Sequence, residues 1–404
     1  MRIPRSRRVS AAVFTLILAG GALVAASPAA QADGPGSGTP YVVTVGDSYI
    51  SGEAGRWAGS SNNSEAPADA LGAHAYYDNA TDTAEVIPGC HRSKSAEAYL
   101  GGGVGGLDLA CSGAKTATTN GSDFKPGLDF YDDGAGHLGQ AKMLQQFAAG
   151  HNVKLVVAAI GGNDFNFASI VTSCVTDFLT SPSWYPDYCK DDSSVVANFT
   201  SANITAVRAR IAASFQNIRT AMRNAGYADN AWTLLVQTYP SPIPAASGFR
   251  YGQSGFTRQN TGGCGFWNAD ADWANATALP TINNTVRAAI GQSGLTNTRV
   301  LELSSAFNGR RLCEKTVGLY EEVGLSSWTQ PTAVDKTEWV NQIRTVTTAG
   351  SNYYIQESLH PNYWAQLAMR NCVRQAYNSG TPRGGTCTIS GTGLLNNEPR
   401  MTLN

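Results

Sequence analysis

The sequence predicts an α/β protein, a doubly wound three-layer sandwich in which helices cover both faces of a mainly parallel sheet. Two observations support this fold class. Short apolar runs typical of strands buried on both faces occur at residues 41–45, 153–160, 232–237 and 299–303. Amphipathic helical patterns alternate with these runs, and such alternation indicates strands joined by crossover helices.

The clearest helical pattern covers residues 202–224, where apolar residues recur at helical spacing before a stop at Gly226. Further helical patterns cover residues 137–149, 281–290 and 362–377. A doubly wound sheet binds its ligands at the carboxyl ends of its strands. Ser48 and Asn163 each follow such a strand end, so the sequence predicts a site at this edge of the sheet.

Three long segments do not fit the alternating scheme: residues 52–109, 165–196 and 239–273. Loops of this length in a compact domain are usually functional. The third segment is rich in proline and aromatic residues. These side chains suit two roles equally, covering an apolar or amphiphilic substrate and packing against one another.

The first 32 residues are predicted to be a secretory signal peptide. Arginines precede an apolar run at residues 11–26, and small residues at 30–32 supply a cleavage site before Asp33. The apolar run is short for a membrane-spanning helix. Residues 33–40, rich in glycine, proline and serine, are predicted to be a flexible tether. Residues 41–404 are predicted to form a single domain, because no linker or repeat divides them.

The charge composition disfavours binding to nucleic acid. The formal net charge is -1 and charged residues make up only 15% of the chain. A basic patch is therefore not predicted.

The eight cysteines form an even set in a chain with an export signal, which favours disulfides over metal ligation. Eight cysteines allow about 105 pairings, so the sequence alone does not determine the connectivity. We predict that nearest neighbours pair. The predicted pairs are Cys90 with Cys111, Cys174 with Cys189, Cys264 with Cys313, and Cys372 with Cys387.

Four short motifs occur in order along the chain. They are Gly46-Asp47-Ser48-Tyr49, Ala110-Cys111-Ser112-Gly113-Ala114, Ile160-Gly161-Gly162-Asn163-Asp164 and Glu357-Ser358-Leu359-His360-Pro361. Together they resemble the four sequence blocks of the SGNH hydrolases, also called the GDSL esterases and lipases. The resemblance covers residues 41 to about 377, nearly all of the chain after the predicted leader. It implies a flavodoxin-like sheet in an α/β/α sandwich, here with long loop insertions.

The resemblance implies that Ser48 is the nucleophile and His360 the base. A serine hydroxyl needs a base within hydrogen-bond reach to attack at neutral pH. His360 lies on a short loop that ends where Pro361 opens a helix, which would fix its position. The other four histidines of the chain are His74, His91, His137 and His151, and none of them lies in such a motif.

Glu357 takes the position at which the family usually carries an aspartate that orients the imidazole. The glutamate is one methylene longer, and two arrangements follow from this difference. Either Glu357 reaches the ring, or a backbone carbonyl such as that of Gln356 or Ser358 accepts the imidazole N–H, as in relatives that work with a serine–histidine dyad.

By the same resemblance, three donors would stabilise the oxyanion: the backbone N–H groups of Ser48 and Gly113 and the side-chain amide of Asn163. Glycine allows close backbone approach, and an amide is a neutral donor. Asp47 and Asp164 are predicted to brace turns and loops.

The predicted function is that of a secreted, extracellular serine ester hydrolase that cleaves carboxylic esters of lipid-like substrates through a covalent acyl-serine. Phospholipids and lysophospholipids are candidate substrates, and the chemistry needs no metal or cofactor. One alternative is a carbohydrate O-acetyl esterase acting on acetylated polysaccharide, and another is a non-catalytic binding module. The predicted enzyme is a monomer that binds a small-molecule or lipid ester, touches lipid surfaces transiently and binds no nucleic acid.

Overall fold

The structure, a computed structural model, describes residues 35–345 and 352–404. The predicted signal peptide and the first two residues of the predicted tether lie outside the described residues. The chain from Asp33 to Asn404 forms one compact unit. The described part of the tether is anchored, since Gly36 donates its N–H to the hydroxyl of Tyr227 (3.3 Å) and the carbonyl of Gly38 accepts from Asn152 (2.8 Å).

Within the described residues, one sheet of seven strands runs through the protein. The strands are β1 (Pro40–Gly46), β2 (Gly105–Asp108), β3 (Asn152–Ala159), β4 (Thr233–Gln237), β5 (Thr298–Glu302), β6 (Gly385–Leu395) and β7 (Glu398–Leu403). Their order is β2-β1-β3-β4-β5-β6-β7. Neighbours from β2 to β6 are parallel, and β7 runs antiparallel to β6. The first five strands follow the 2-1-3-4-5 order of flavodoxin-like folds, which confirms the predicted fold class.

The described ranges contain eleven α-helices. They are α1 (Ser48–Ser51), α2 (Gln140–Ala148), α3 (Phe167–Thr180), α4 (Ser193–Val196), α5 (Ser201–Asn224), α6 (Thr257–Asn260), α7 (Asn268–Trp273), α8 (Leu279–Ser293), α9 (Tyr320–Val323), α10 (Ala333–Lys336) and α11 (Tyr363–Tyr377). All four predicted helices are present, as α2, α5, α8 and α11. None of the described helices combines the length and the apolar composition that a membrane span requires.

Two hydrophobic clusters lie on opposite faces of the sheet, because successive strand residues point to opposite sides. Val43 and Val156 pack in one cluster with α2, α5 and α8. Val42 and Val157 pack in the other cluster with α3 and α11. The result is the predicted three-layer sandwich.

Two of the segments that did not fit the alternating scheme contain a strand of the sheet or a long helix. Residues 52–109 include β2, whose two glycines give it little intrinsic strand preference, so its pairing with β1 forms it. Residues 165–196 include α3, which buries Ile170, Cys174 and Phe178 at helical spacing. Its threonines, serines and valines have low helix propensity and obscure the pattern.

Aromatic residues of the third segment pack against neighbouring elements, since Trp267 contacts Phe178 of α3 and Trp273 contacts Phe199. Phe249, Phe266 and Trp267 are all buried. No residue of 239–273 is among those that line the large cavity described below. Of the two roles considered for this segment, packing accounts for its buried aromatics, while Tyr239, Pro240 and Pro242 line a second, smaller pocket at Ser48.

The C-terminal hairpin of β6 and β7 was not predicted. It adds two strands to the sheet beyond β5, since Leu301 pairs with Gly385. The connecting residues Asn396 and Asn397 have φ angles of 54° and 63°. Positive φ at both central residues is typical of the type I′ turn that joins two-residue hairpins.

All four predicted disulfides are present. They join Cys90 to Cys111, Cys174 to Cys189, Cys264 to Cys313, and Cys372 to Cys387. The first fixes the loop after β2, which carries the second sequence block, and the last connects α11 to β6.

Candidate active site

Ser48 lies just after β1, the strand from which the sheet extends to β2 on one side and to β3 on the other. Gly46 has a φ of 139°, and a Cβ atom there would lie 1.9 Å from the carbonyl oxygen of Ala159 at the end of β3. The turn therefore requires glycine. Asp47 donates its N–H to the same oxygen (2.9 Å) and caps α1, of which Ser48 is the first residue. This is the topological switch point at which doubly wound sheets bind ligands.

Ser48 and His360 are joined by a hydrogen bond. The imidazole Nε2 lies 2.6 Å from Ser48 Oγ, and Nδ1 lies 2.9 Å from the carbonyl oxygen of Ser358. A carbonyl only accepts, so Nδ1 carries the proton and Nε2 is the basic nitrogen that faces the serine. The hydroxyl of Tyr49 donates to the carbonyl of Leu359 (3.1 Å) and holds the histidine loop against α1.

The structure corrects the prediction that Glu357 orients the imidazole. Glu357 Oε1 accepts from the hydroxyl of Tyr76 (2.5 Å), and Oε2 accepts from the indole N–H of Trp57 (2.8 Å) and the backbone N–H of Tyr354 (3.0 Å). Burial raises the pKa of Glu357 to about 7. Its side chain points to these three donors. The imidazole of His360 is instead oriented by a backbone carbonyl, which is the second of the two arrangements considered above.

The two other predicted oxyanion donors border the same cavity as Ser48 and His360. Gly113 has a φ of 81°, a backbone conformation that favours glycine. Asn163 follows β3 and donates one side-chain N–H to the carbonyl of Ala114 (2.9 Å). This bond fixes the amide beside the second block and leaves its second N–H for a ligand.

Two aspartates connect the sequence blocks, which are the bracing roles predicted for them. The hydroxyl of Tyr239 donates to Asp47 and accepts the N–H of Gly162 (3.0 Å). Asp164 accepts from the N–H (3.0 Å) and the hydroxyl (2.6 Å) of Thr116. The serine, amide and oxyanion-loop segments are thereby held together by buried hydrogen bonds.

A cavity of about 550 Å³ opens beside Ser48 and His360. Helix α3 supplies its largest apolar surface, and residues 343–345 and 355–358 contribute further lining. The apolar lining residues are Phe167, Ala168, Val171, Val175, Leu179, Ile343 and Ile355. The cavity is thus mainly apolar. Its polar lining comes from the groups at Ser48 and His360 and from other residues, namely Thr172, Thr176, Arg344, Thr345 and Gln356.

The pKa of His360 lies below its ordinary value, because burial disfavours the imidazolium, an effect that the charge of Glu53 opposes. The base acts when neutral, so activity is complete above this pKa and is lost as the pH falls through it. We expect the acid limb of kcat/KM to have its midpoint below 6.5, the ordinary pKa of histidine.

The measurement is hydrolysis of an uncharged ester from about pH 4 to about pH 8, with circular dichroism at each pH to confirm that the protein stays folded. A midpoint above 6.5 contradicts the lowered pKa of His360. An activity that stays flat down to about pH 4 contradicts its role as the base.

Sequence reasoning missed a buried glutamate–histidine pair near His360. Glu53 Oε1 lies 2.8 Å from His91 Nδ1, and both side chains are buried. The two residues are 38 positions apart, so no local pattern connects them. The available signal was a glutamate shortly after the first block, only five residues after the serine.

One group of described residues has metal-ligand spacing. Asp177, Asp187 and Asp192 bring carboxylate oxygens within 4.8 Å of one another. Asp192 also accepts from the hydroxyl of Ser173. None of these residues is among those lining the cavity at Ser48, so the group stands apart from the candidate active site.

No family model matches the sequence, and no curated protein matches it. The chain is similar to a solved extracellular lipase from Streptomyces rimosus, with 20% identity, a TM-score of 0.45 and coverage of 85% of this chain and 100% of that one. It is also similar to a phospholipase A1 from Streptomyces albidoflavus, with 16% identity, a TM-score of 0.44 and coverage of 84% and 99%. A carbohydrate acetylesterase from Sinorhizobium meliloti is similar at 12% identity, with a TM-score of 0.26 and coverage of 65% and 84%.

The strand order of the sheet places the first and third sequence blocks at one edge, and residues of all four blocks line one cavity. The hydrogen bond between Ser48 and His360 joins the first block to the fourth. The four sequence blocks that resemble those of the SGNH hydrolases therefore meet at one cavity of an α/β fold.

Proposed function

We propose that the protein is a carboxylic-ester hydrolase that acts through Ser48 and His360. One observation carries the proposal: the 2.6 Å hydrogen bond from Ser48 Oγ to a histidine nitrogen whose partner nitrogen is held by a carbonyl. This is the pairing of nucleophile and oriented base that acyl transfer requires. Gly113 and Asn163, which border the same cavity, support the proposal.

In the proposed reaction, Ser48 Oγ attacks the ester carbonyl carbon while its proton moves to His360 Nε2. The tetrahedral oxyanion accepts hydrogen bonds from the N–H groups of Ser48 and Gly113 and from the amide of Asn163. The bond to the alcohol breaks, and His360 gives the proton to that alcohol. Water then attacks the acyl-serine with the same base, which releases the acid and restores the serine hydroxyl.

Lipid-like esters are the proposed substrates. The cavity is large enough for an acyl chain, and its apolar lining from α3 would remove that chain from water. Ile355 lines the cavity and is about half exposed, as is the neighbouring Tyr354. Apolar side chains at the cavity mouth suit brief contact with a lipid surface.

A second candidate substrate class is acetylated carbohydrate, because a polar groove adjoins the apolar cavity. The groove, of about 340 Å³, is lined by Asn62, Asn260, Gln342 and Arg344, among others. It shares residues 343–345 with the lining of the cavity. Amide side chains suit hydroxyl groups of a sugar, and equally those of a polar lipid head group.

Hydrolysis of p-nitrophenyl esters from acetate to palmitate, together with phosphatidylcholine, tests the proposal. We expect wild type to prefer medium or long chains. We expect Val171→Trp, which fills the cavity, to lower turnover of long chains by roughly tenfold and to leave acetate cleavage nearly unchanged. The matched control is Val196→Trp on α4, outside the cavity lining.

Cleavage of acetate alone by wild type would reject the lipid-ester proposal in favour of the carbohydrate O-acetyl esterase. Equal effects of the two tryptophan variants would show that the cavity does not hold the acyl chain.

Secretion is part of the proposal. Four disulfides within one chain are typical of proteins in oxidising compartments. The predicted signal peptide agrees with this location. The test is mass spectrometry of the protein recovered from culture medium, which we expect to begin at Asp33 and to contain no free thiol.

A further inference from the structure

Glu53 is a fully buried carboxylate that binds parts of three different loops of the site. Its Oε1 pairs with His91 Nδ1 (2.8 Å), and its Oε2 accepts from the side-chain amide of Gln356 (2.9 Å). The side chain of Ser112 faces the same carboxylate and acts to lower its pKa. No mechanistic step described above uses Glu53.

Each partner of Glu53 adjoins a group that the reaction needs. Gln356 lies in the loop that ends at His360, and Ser112 precedes the oxyanion residue Gly113. His91 follows Cys90, whose disulfide to Cys111 fixes the loop that contains Ser112. Glu53 itself follows α1, so one carboxylate connects the serine, oxyanion and histidine segments.

We propose that Glu53, rather than Glu357, is the carboxylate that stabilises the imidazolium of His360 during the reaction and positions its loop. The proposal rests on the proposed ester hydrolysis. Glu53 acts through Gln356 and through its charge, so it is a positioning residue. The carbonyl of Ser358 orients the ring, and Glu53 supplies the negative charge that a carbonyl lacks.

The charges around Glu53 support this assignment. Burial acts to raise the pKa of Glu53, but the charge and hydrogen bond of His91 outweigh burial and hold the pKa below its ordinary value. Burial lowers the pKa of His91, and the charge of Glu53 raises it above its ordinary value on balance. The two shifts favour the charged forms of both Glu53 and His91, whereas Glu357, with its pKa near 7, is only partly charged at neutral pH.

Several other charged or titratable groups face this pair. Glu85 approaches His91 Nε2 at 3.6 Å from the other side. Tyr76 stacks on the His91 ring and donates to Glu357. Among the charged groups acting on His360, Glu53 has the largest effect and raises its pKa, while His91 lowers it.

The test compares the pH–rate profiles of wild type, Glu53→Gln and Glu357→Gln on one soluble ester. In Glu53→Gln we expect kcat to fall by roughly tenfold and KM to stay nearly unchanged. The fall is smaller than the 10²–10⁴-fold that a general base contributes, because His360 is still present. We also expect the acid limb to move to lower pH, because burial and His91 favour neutral His360 once the charge of Glu53 is removed. Glu357→Gln is the matched control and should leave the acid limb in place.

A purely structural role for Glu53 would reduce the folded fraction without moving the acid limb, and that outcome overturns the proposal. Gln356→Ala covers the case in which Glu53→Gln does not fold, because Gln356 is exposed. It should lower kcat by a few fold, a larger change than its effect on KM through the cavity that Gln356 borders, and an unchanged kcat would overturn the proposal. Failure of the ester-hydrolase proposal is distinguishable, since wild type itself would then be inactive and would not react with a fluorophosphonate.

Discussion

Replacing Ser48 by alanine is expected to lower kcat for ester hydrolysis by about 10⁴-fold or more, because the variant has no nucleophile and water must attack directly. The substitution removes one oxygen and its 2.6 Å hydrogen bond to His360, so we expect the melting temperature to change little. The measurement is turnover of the best ester substrate, together with covalent labelling by a fluorophosphonate. Wild type should be labelled at Ser48, and the variant should not be labelled.

The matched control is Ser51→Ala in the same helical turn. Ser51 is buried, and its hydroxyl donates to the carbonyl of Ser48 (3.4 Å), so its loss tests whether any change in this turn stops the reaction. We expect Ser51→Ala to retain activity within about tenfold of wild type. Undiminished turnover in Ser48→Ala would refute the site assignment. Absence of labelling in active-site titration of wild type would favour a binding module.

Replacing Asn163 by alanine is expected to lower kcat by about 10²–10³-fold with little change in KM, the usual effect of removing one oxyanion donor. The amide borders the cavity beside Ser48, and in the proposed reaction it stabilises charge that exists only in the transition state. Steady-state kinetics on wild type and variant would measure the effect.

Asn217→Ala is the control for the structural part of this loss. Asn217 donates its side-chain amide to the carbonyl of Leu128 (3.0 Å), much as Asn163 donates to Ala114 (2.9 Å). Each substitution removes one such bond, so both variants should lose about 1 kcal/mol in the free energy of unfolding. Only the Asn163 variant should lose activity. Equal kinetics in the two variants would restrict Asn163 to a bracing role.

The sequence predicted those features of the fold that depend on local pattern. The buried strands and the long helices were found because hydrophobic periodicity acts within one element. The strand β2 was missed because it owes its conformation to β1, and a run with two glycines carries no strand signal of its own. The turn at Asn396 and Asn397 was a readable signal for the C-terminal hairpin, since asparagine tolerates positive φ.

The site shows the same division between local and distant information. The motifs that hold Ser48 and His360 are local, and the structure brings both residues together. The direction of the Glu357 side chain cannot be predicted from the neighbouring sequence. Its carboxylate is bound by Trp57 and Tyr76, which lie about 300 residues earlier in the chain. A glutamate in place of the usual aspartate was the only hint that a different group holds the imidazole.

Ser48 and His360 are separated by 312 residues in the sequence, so the hydrogen bond between them closes a loop that contains most of the folded chain. Contacts between such distant residues cost loop entropy and depend on many other pairings that must form first. Turnover is therefore a stricter reporter of refolding than helix content or disulfide formation. A refolding chain can regain its secondary structure while it is still inactive, and recovery of ester cleavage requires that the loop of His360 has reached Ser48.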